Sequence, residues 1–335
     1  MNSPFTCPDC GPGDTVSRRA FLQRSAAGAA ALATTPALMA APTPTSGAET
    51  LAAQFYKSLT EQQRAAVCFA FDHPLRTKVD NNWHITKPTL ANFFTRDQQA
   101  LAKELFLKLH SPQYAQKVYD QVNHDSGKAG FNGGTSVAFF GEPGKGKFEF
   151  VLTGRHCTRR CDGNSVAGAA FGGPIFYGHA AESFNEKPTH PGNAYWFQAQ
   201  RANAVFQALN GKQRELALLG NSRDENGTAT VKLKGFSQSI EGIPLTELTA
   251  DQRGLVKQVM ADLLAPFRQE DADEVMKLVN QSGFERLHMA FYKNEDLGND
   301  GVWDVWQIEG PTMVWYFRGK PHVHVWAHVR ENAEA

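Results

Sequence analysis

From about Glu49 to His124, apolar residues recur every three or four positions, and each run opens on a polar cap. Thr60 with Gln63, and Thr95 with Gln98, have the spacing at which a threonine hydroxyl and a glutamine amide satisfy each other's backbone N–H groups at a helix start. Leu101, Leu105 and Leu109 mark one buried helical face. At Gly127 the period shortens towards two. The run "GGTSVAFFGEPGKGKFEFVLTGRHCTRRCDGN" predicts two strands joined by a Gly/Pro turn, the second with Phe148, Phe150, Leu152, Gly154 and His156 on one face. Residues 163–196, with "FGGPIFYGHA" at their centre, read as an irregular segment packed over something, and loops of that length are commonly functional. Helical spacing returns over roughly 197–219 and from Thr249, where Thr249 and Gln252 repeat the cap ahead of Leu255, Val259 and Leu263. "LTEQQR" at residue 59 and "LTADQR" at residue 248 read as shared cap chemistry rather than a repeat, because their flanks do not match. The end of the chain, "GVWDVWQIEG", "PTMVWYFRG" and "PHVHVWAHV", predicts an antiparallel meander. The fold class is α+β: N-terminal helices, a central hairpin, further helices and a C-terminal antiparallel sheet, in one large domain over 49–330.

The start of the chain has another character. "SRRAFLQRSAAGAAALATTPALMAAP" places Arg18 and Arg19 before Phe21 and Leu22, a short Ala/Gly-rich stretch and a small-residue exit, which resembles a twin-arginine export signal over residues 1–40. Its apolar part is too short to span a bilayer, so no stable membrane span is expected. The implied partner is the twin-arginine export machinery, and the implied location is periplasmic or secreted. That route carries folded proteins, often with a cofactor installed. Residues 41–48, "APTPTSGA", read as a mobile linker. Cys7 and Cys10 fall in the signal, which leaves Cys68, Cys157 and Cys161, an odd number that argues against a disulfide framework. Lys plus Arg and Asp plus Glu each number 34, for a formal net charge of zero, which gives no support to nucleic acid as a partner. A small-molecule ligand or substrate is the better expectation.

The chemistry lies in the last strand. Its period of two puts His322, His324, Trp326 and His328 on one face and Val323, Val325, Ala327 and Val329 on the other. Histidines at i and i+2 have Cα atoms about 6.6 Å apart, close enough for both rings to reach one ion, whereas His328 is about 13 Å from His324. A third ligand should come from a neighbouring strand or loop, and His156 and His179 are the candidates. Other signatures fail. "GEPGKGKF" has phosphate-loop spacing, but Phe148 stands where Ser or Thr is needed and a strand follows. H-E-x-x-H, G-x-S-x-G and a dinucleotide fingerprint after a strand are missing.

"SLTEQQRAAVCFAFDHP…NNWHIT", "VLTGRHCTRRCDGN", "FGGPIFYGHA" and "WQIEGPTMVWYFRGKPHVHVW" are similar to successive blocks of the bacterial "domain of unknown function" family numbered thirty-five hundred. The resemblance covers nearly all of residues 49–330. It matches Trp83, His156, Gly310-Pro311, His322 and His324 to family positions, while Arg155 stands where many members carry a histidine, and His328 belongs to no family pattern. It implies that His156 and the terminal pair form one composite site in an exported protein.

The resulting expectation is an exported metalloprotein with His156, His322 and His324 on one ion and His179 or water completing the shell. The metal would be copper, zinc or iron. The protein would be a metal-dependent oxidoreductase or hydrolase of unassigned reaction on a small molecule, with Arg155 pairing an anionic substrate and Tyr177 and Trp315 as apolar walls. The alternative is a non-enzymatic periplasmic ligand-binding protein whose histidines hydrogen-bond the ligand.

Overall fold

The computed structural model describes residues 41–180, 193–293, 296, 299 and 301–333, so residues 1–40, where an export signal is expected, lie outside the described residues. In place of a mobile linker, residues 41–48 hold a turn, closed by the Ser46 N–H donating to the Thr43 carbonyl, and the start of helix α1, Gly47–Ser58. The reason is a buried ion pair just beyond. The Arg268 guanidinium donates to both oxygens of Glu49 at 2.7 Å and to Asp271 at 2.9 and 3.1 Å.

After α1 come α2 (Glu61–Val67), the short strand β1 (Cys68–Phe69), α3 (Leu90–Phe93), α4 (Arg96–Lys108), α5 (Ala115–Asp125) and α6 (Gly130–Gly134). Four strands follow: β2 (Thr135–Gly141), β3 (Phe148–Gly154), β4 (Cys157–Cys161) and β5 (Ile175–His179). The second half runs α7 (Trp196–Ala208), α8 (Gly211–Ala217), β6 (Leu218–Leu219), β7 (Ile243–Pro244), α9 (Ala250–Leu264) and α10 (Gln269–Ser282). It closes with β8 (His288–Tyr292), β9 (Val305–Gly310), β10 (Met313–Arg318) and β11 (Val323–Val329). The fold is α+β, and the C-terminal strands form the expected antiparallel series.

Two predicted elements differ. The central stretch makes three strands, because Gly154 pairs with Cys157 and so closes a two-residue hairpin over Arg155 and His156. His156 takes φ 55°, a left-handed conformation that histidine tolerates better than most side chains. It therefore sits at a turn and not on a strand face. Within 163–196, "IFYGH" is the strand β5, hidden in the sequence by the glycines and proline around it, while residues 181–192 lie outside the described residues.

All the strands join one mixed sheet in the order β1-β2-β3-β4-β5-β11-β10-β9-β8-β6, with β7 on β8. The order is a palindrome. β1 pairs parallel to β2 as β6 does to β8, the hairpin at Gly154–Cys157 is matched by a two-residue hairpin at Gly310–Met313, and β5 meets β11 antiparallel at the centre. The helices repeat as well. Gln63 and Gln98 exchange amide hydrogen bonds at 2.9 Å, and so do Gln213 and Gln252. Gln98 also donates to the Ser58 carbonyl as Gln252 does to that of Ala208, and Gln63 to Phe93 as Gln213 to Glu247. The fold is an internal duplication. The counterpart of "LTEQQR" is "LNGKQR" at 209–214, and that of "LTADQR" is "FTRDQQ" at 94–99. The recurrence read as cap chemistry is thus part of a repeat, concealed because the two similar strings belong to different helices of the unit.

The valine side of β11 faces the main core, where Phe139, Phe150, Tyr177, Trp315 and Phe317 pack beneath the helices. On the opposite face Phe176, Val314, Tyr316 and Trp326 pack under Val79, Val231 and Leu233. Burial on both sides explains why β11 is apolar on one face and still carries a fully buried tryptophan among its histidines.

Beside the Arg268 ion pair, α10 buries Glu274. Burial, reinforced by Asp162 and Asp271 and opposed by Arg268, pushes the Glu274 carboxyl up to about 8. An unfolded glutamate titrates near about 4.3. Between those values the folded chain holds a proton that the unfolded chain has released, so stability falls as pH rises through this window. Glu274→Gln is expected to melt with the native protein at pH 4, below the window, and a few degrees above it at pH 9 in scanning calorimetry. Parallel pH profiles for the two proteins would show that Glu274 ionises in the fold without cost.

Candidate metal centre

His324 enters from β11 and His322 from the residues just before it, while His156 comes from the β3–β4 hairpin. The hairpin is held by the 79–83 segment: the His156 N–H donates to the Asn81 carbonyl at 2.8 Å, and Asn82 bridges to Arg155. Trp83 fixes that segment by donating its indole N–H to Thr158 Oγ1 at 2.9 Å. Gly178, opposite His324 in the register, makes room for the hairpin. A Cβ there would lie 2.2 Å from the Val323 carbonyl oxygen and 3.4 Å from His156 Cδ2.

The three rings converge through the same atom. Nε2 of His156 is 3.1 Å from Nε2 of His322 and 3.1 Å from Nε2 of His324, and the latter two are 2.9 Å apart. In a tetrahedral site with Zn–N bonds of about 2.0–2.1 Å, ligand nitrogens lie roughly 3.3 Å from one another. The group has the size of one face of such a shell. His156 and His324 are buried and His322 is half-buried.

Two carboxylates stand behind the rings. His156 Nδ1 lies 2.6 Å from Asp125 Oδ2, and His324 Nδ1 lies 2.6 Å from Glu225 Oε2. A carboxylate can only accept, so each Nδ1 carries the proton and each Nε2 presents a lone pair to the centre. Asp125 is itself oriented by the Gln121 amide at 2.9 Å and by the Ala180 N–H at 3.2 Å. Arg318, opposite His324 in the β10–β11 register, brings its Nε to 3.1 Å from Glu225 Oε1. Burial, followed by the charge of Arg318, holds His324 well below the ordinary histidine range. It is therefore neutral, as a ligand must be.

Lone pairs on His156 and His324 facing each other at 3.1 Å repel unless a cation lies between them. A shared proton would require an imidazolium in a buried site that disfavours one at His324. The donor set therefore fits a metal ion.

The other expected site residues lie elsewhere. His179 pairs with Val323, which puts it on the valine face, away from His324. It approaches the site from behind, with Nδ1 3.9 Å from Asp125 Oδ1. Tyr177 pairs with Val325 and Trp315 with Ala327, so both belong to the main core, where the Trp315 indole donates to the Tyr177 hydroxyl at 3.2 Å. They are not walls of the histidine site. That role falls to Phe176, whose ring centre is 5.1 Å from that of His324 and 6.4 Å from that of His156. Arg155 occupies the hairpin beside His156. His328 is held apart, its Nδ1 donating to the Val231 carbonyl at 3.2 Å. Cys157 is buried and its thiol is pushed up to about 11 by burial, which removes it as a nucleophile at neutral pH.

Asp125 and Glu225 were not among the sequence candidates. Asp125 carried a signal, since it follows Val118 and Val122 on the buried stripe of an amphipathic helix. Glu225, in an irregular segment, carried none.

A mixed-sheet α+β fold with a three-histidine group able to hold a metal defines the class of protein. The family described as "Protein of unknown function (DUF3500)" matches residues 41–334, and the chain belongs to it. Neither a curated protein nor a solved structure matches the chain.

Proposed function

We propose that the protein is an exported metalloprotein whose ion is bound by His156, His322 and His324 and which acts on a small molecule by hydrolytic or redox chemistry. The observation that carries this reading is the mutual approach of three Nε2 atoms at 2.9–3.1 Å, two of them on rings whose Nδ1 faces a carboxylate. A bound zinc, copper or iron ion would supply Lewis-acid or redox chemistry at the position the three rings leave open. The chain's own residues have separate tasks. Asp125 and Glu225 fix the tautomers, Phe176 keeps one flank dry, and Arg155, next to His156 on the hairpin, is the candidate contact for an anionic substrate. Export rests on Arg18, Arg19, Phe21 and Leu22 in the leader.

The test is to express the full chain with its own leader, fractionate the cells and measure metals in the purified protein by plasma mass spectrometry. About one equivalent of a transition metal in an extracytoplasmic protein is expected. Metal-free protein that also fails to take up zinc, copper or iron on titration would reject the reading.

A further inference from the structure

The duplication supplies an internal comparison. At the outer end of the first half, Phe69 lies opposite Phe140 in the β1–β2 register and stacks on it at 5.5 Å between ring centres. Phe71 and Val151 belong to the same cluster, with Ile85, Ala138, Leu75 and Trp83, which fills the outer face of the sheet there with apolar side chains. In the second half, the β6–β8 register puts Leu219 opposite Tyr292, which makes Tyr292 the counterpart of Phe140. Counting back from the matched hairpin glycines, Gly154 and Gly310, Val151 corresponds to Gln307, and counting on from β1 and β6, Phe71 corresponds to Asn221.

All three replacements add a polar group, and the packing changes with them. Where the first half is plugged by rings, the second half has a cavity of about 420 Å³ lined by Asn221, Tyr292 and Gln307 together with Arg223, Lys234 and Glu241. A fold that can close this position with phenylalanine gives up apolar burial by leaving it open, at about 25 cal/mol per Å². Cavities of this size take small molecules.

Both cations of its wall are paired. Arg223 and Lys234 are committed to Glu309, at 2.9 and 3.4 Å, and Asp224 and Glu241 contribute acceptors at the rim. Gln307 belongs to the same network, its Oε1 accepting from Arg223 Nε at 3.1 Å and its Nε2 donating to Glu309 at 3.0 Å, so the groups that face a ligand and both donate and accept come from Asn221, Asn226 and Tyr292. That chemistry suits vicinal hydroxyls and gives a free anion no net attraction.

We propose that this cavity is a binding site for an uncharged polyhydroxylated molecule of monosaccharide size. The site is separate from the histidine centre, and the argument for it does not depend on a metal. The 221–226 segment is shared, however, because it also carries Glu225, so Glu225 is left untouched in the test.

The experiment is isothermal titration calorimetry of the chain from Ala41 with D-glucose, D-galactose, D-xylose and N-acetyl-D-glucosamine, and with inorganic phosphate and glycine as charged probes. At least one sugar is expected to bind saturably. Asn221→Phe, which installs the first-half residue at an exposed position, should weaken it by about tenfold or more, and Tyr292→Phe, which removes one hydroxyl, by a few-fold. Tyr292→Phe also retains the ring if Asn221→Phe is poorly folded. No binding by any of the four sugars, equal binding by the native chain and both variants, or binding by phosphate or glycine alone would overturn the proposal.

Discussion

The His322→Ala/His324→Ala double variant is expected to retain less than about a tenth of an equivalent of metal where the native chain holds about one, because a single imidazole cannot hold a structural or catalytic ion against buffer. Two of the three Nε2 donors are removed, and the remaining ring, His156, keeps only its bond to Asp125. Plasma mass spectrometry of both proteins, purified side by side, is the measurement. His328→Ala is the control, since that ring bonds the Val231 carbonyl and its loss should leave metal content unchanged. Circular dichroism separates loss of ligand from loss of fold: β11 keeps its valine face in the double variant, so the sheet should persist. Equal metal in native and double-variant protein would place the ion elsewhere.

The second large effect is expected from a residue that never touches the ion. Asp125→Asn keeps an oxygen that accepts from His156 Nδ1 but removes the charge that makes the ring a stronger base, and Glu225→Gln does the same to His324. Loss of a carboxylate behind a ligating histidine lowers metal affinity by about 10–100-fold. Competition with a chromogenic chelator at fixed pH reads this directly. Each variant should bind one ion with the weakened constant, unlike the double histidine variant, which should not bind stoichiometrically. An unchanged constant in both would mean that neither carboxylate bears on the rings.

The terminal pair was legible because strand parity is local: two histidines at i and i+2 share a face in any strand, whatever lies beside it. His156 was legible as a partner but was placed on the wrong kind of element, since a two-residue hairpin with histidine in the left-handed position carries no glycine or asparagine to announce it. Tyr177, His179 and Trp315 failed for a different reason. Their own strands were readable in part, but which face of each lies with His324 depends on inter-strand register, and a shift of one residue reverses every side chain. Asp125 and Glu225 stand 31 and 99 residues from the rings they orient, so only the folded chain brings them together. The duplication was hidden by comparison at the wrong offset, and it is the pairing of Gln63 with Gln98 and of Gln213 with Gln252 that exposes it.

The two repeats do not own separate sites. His156 belongs to the first and His322 and His324 to the second, across a span of 166 residues from His156 to His322. An ion bound at that point would act as a cross-link between the halves and forbid the chain a large share of its open conformations, much as a disulfide over a long loop does. Occupancy would then be a certificate of assembly: neither half can close the triangle alone, and only a chain whose two copies have met could be loaded.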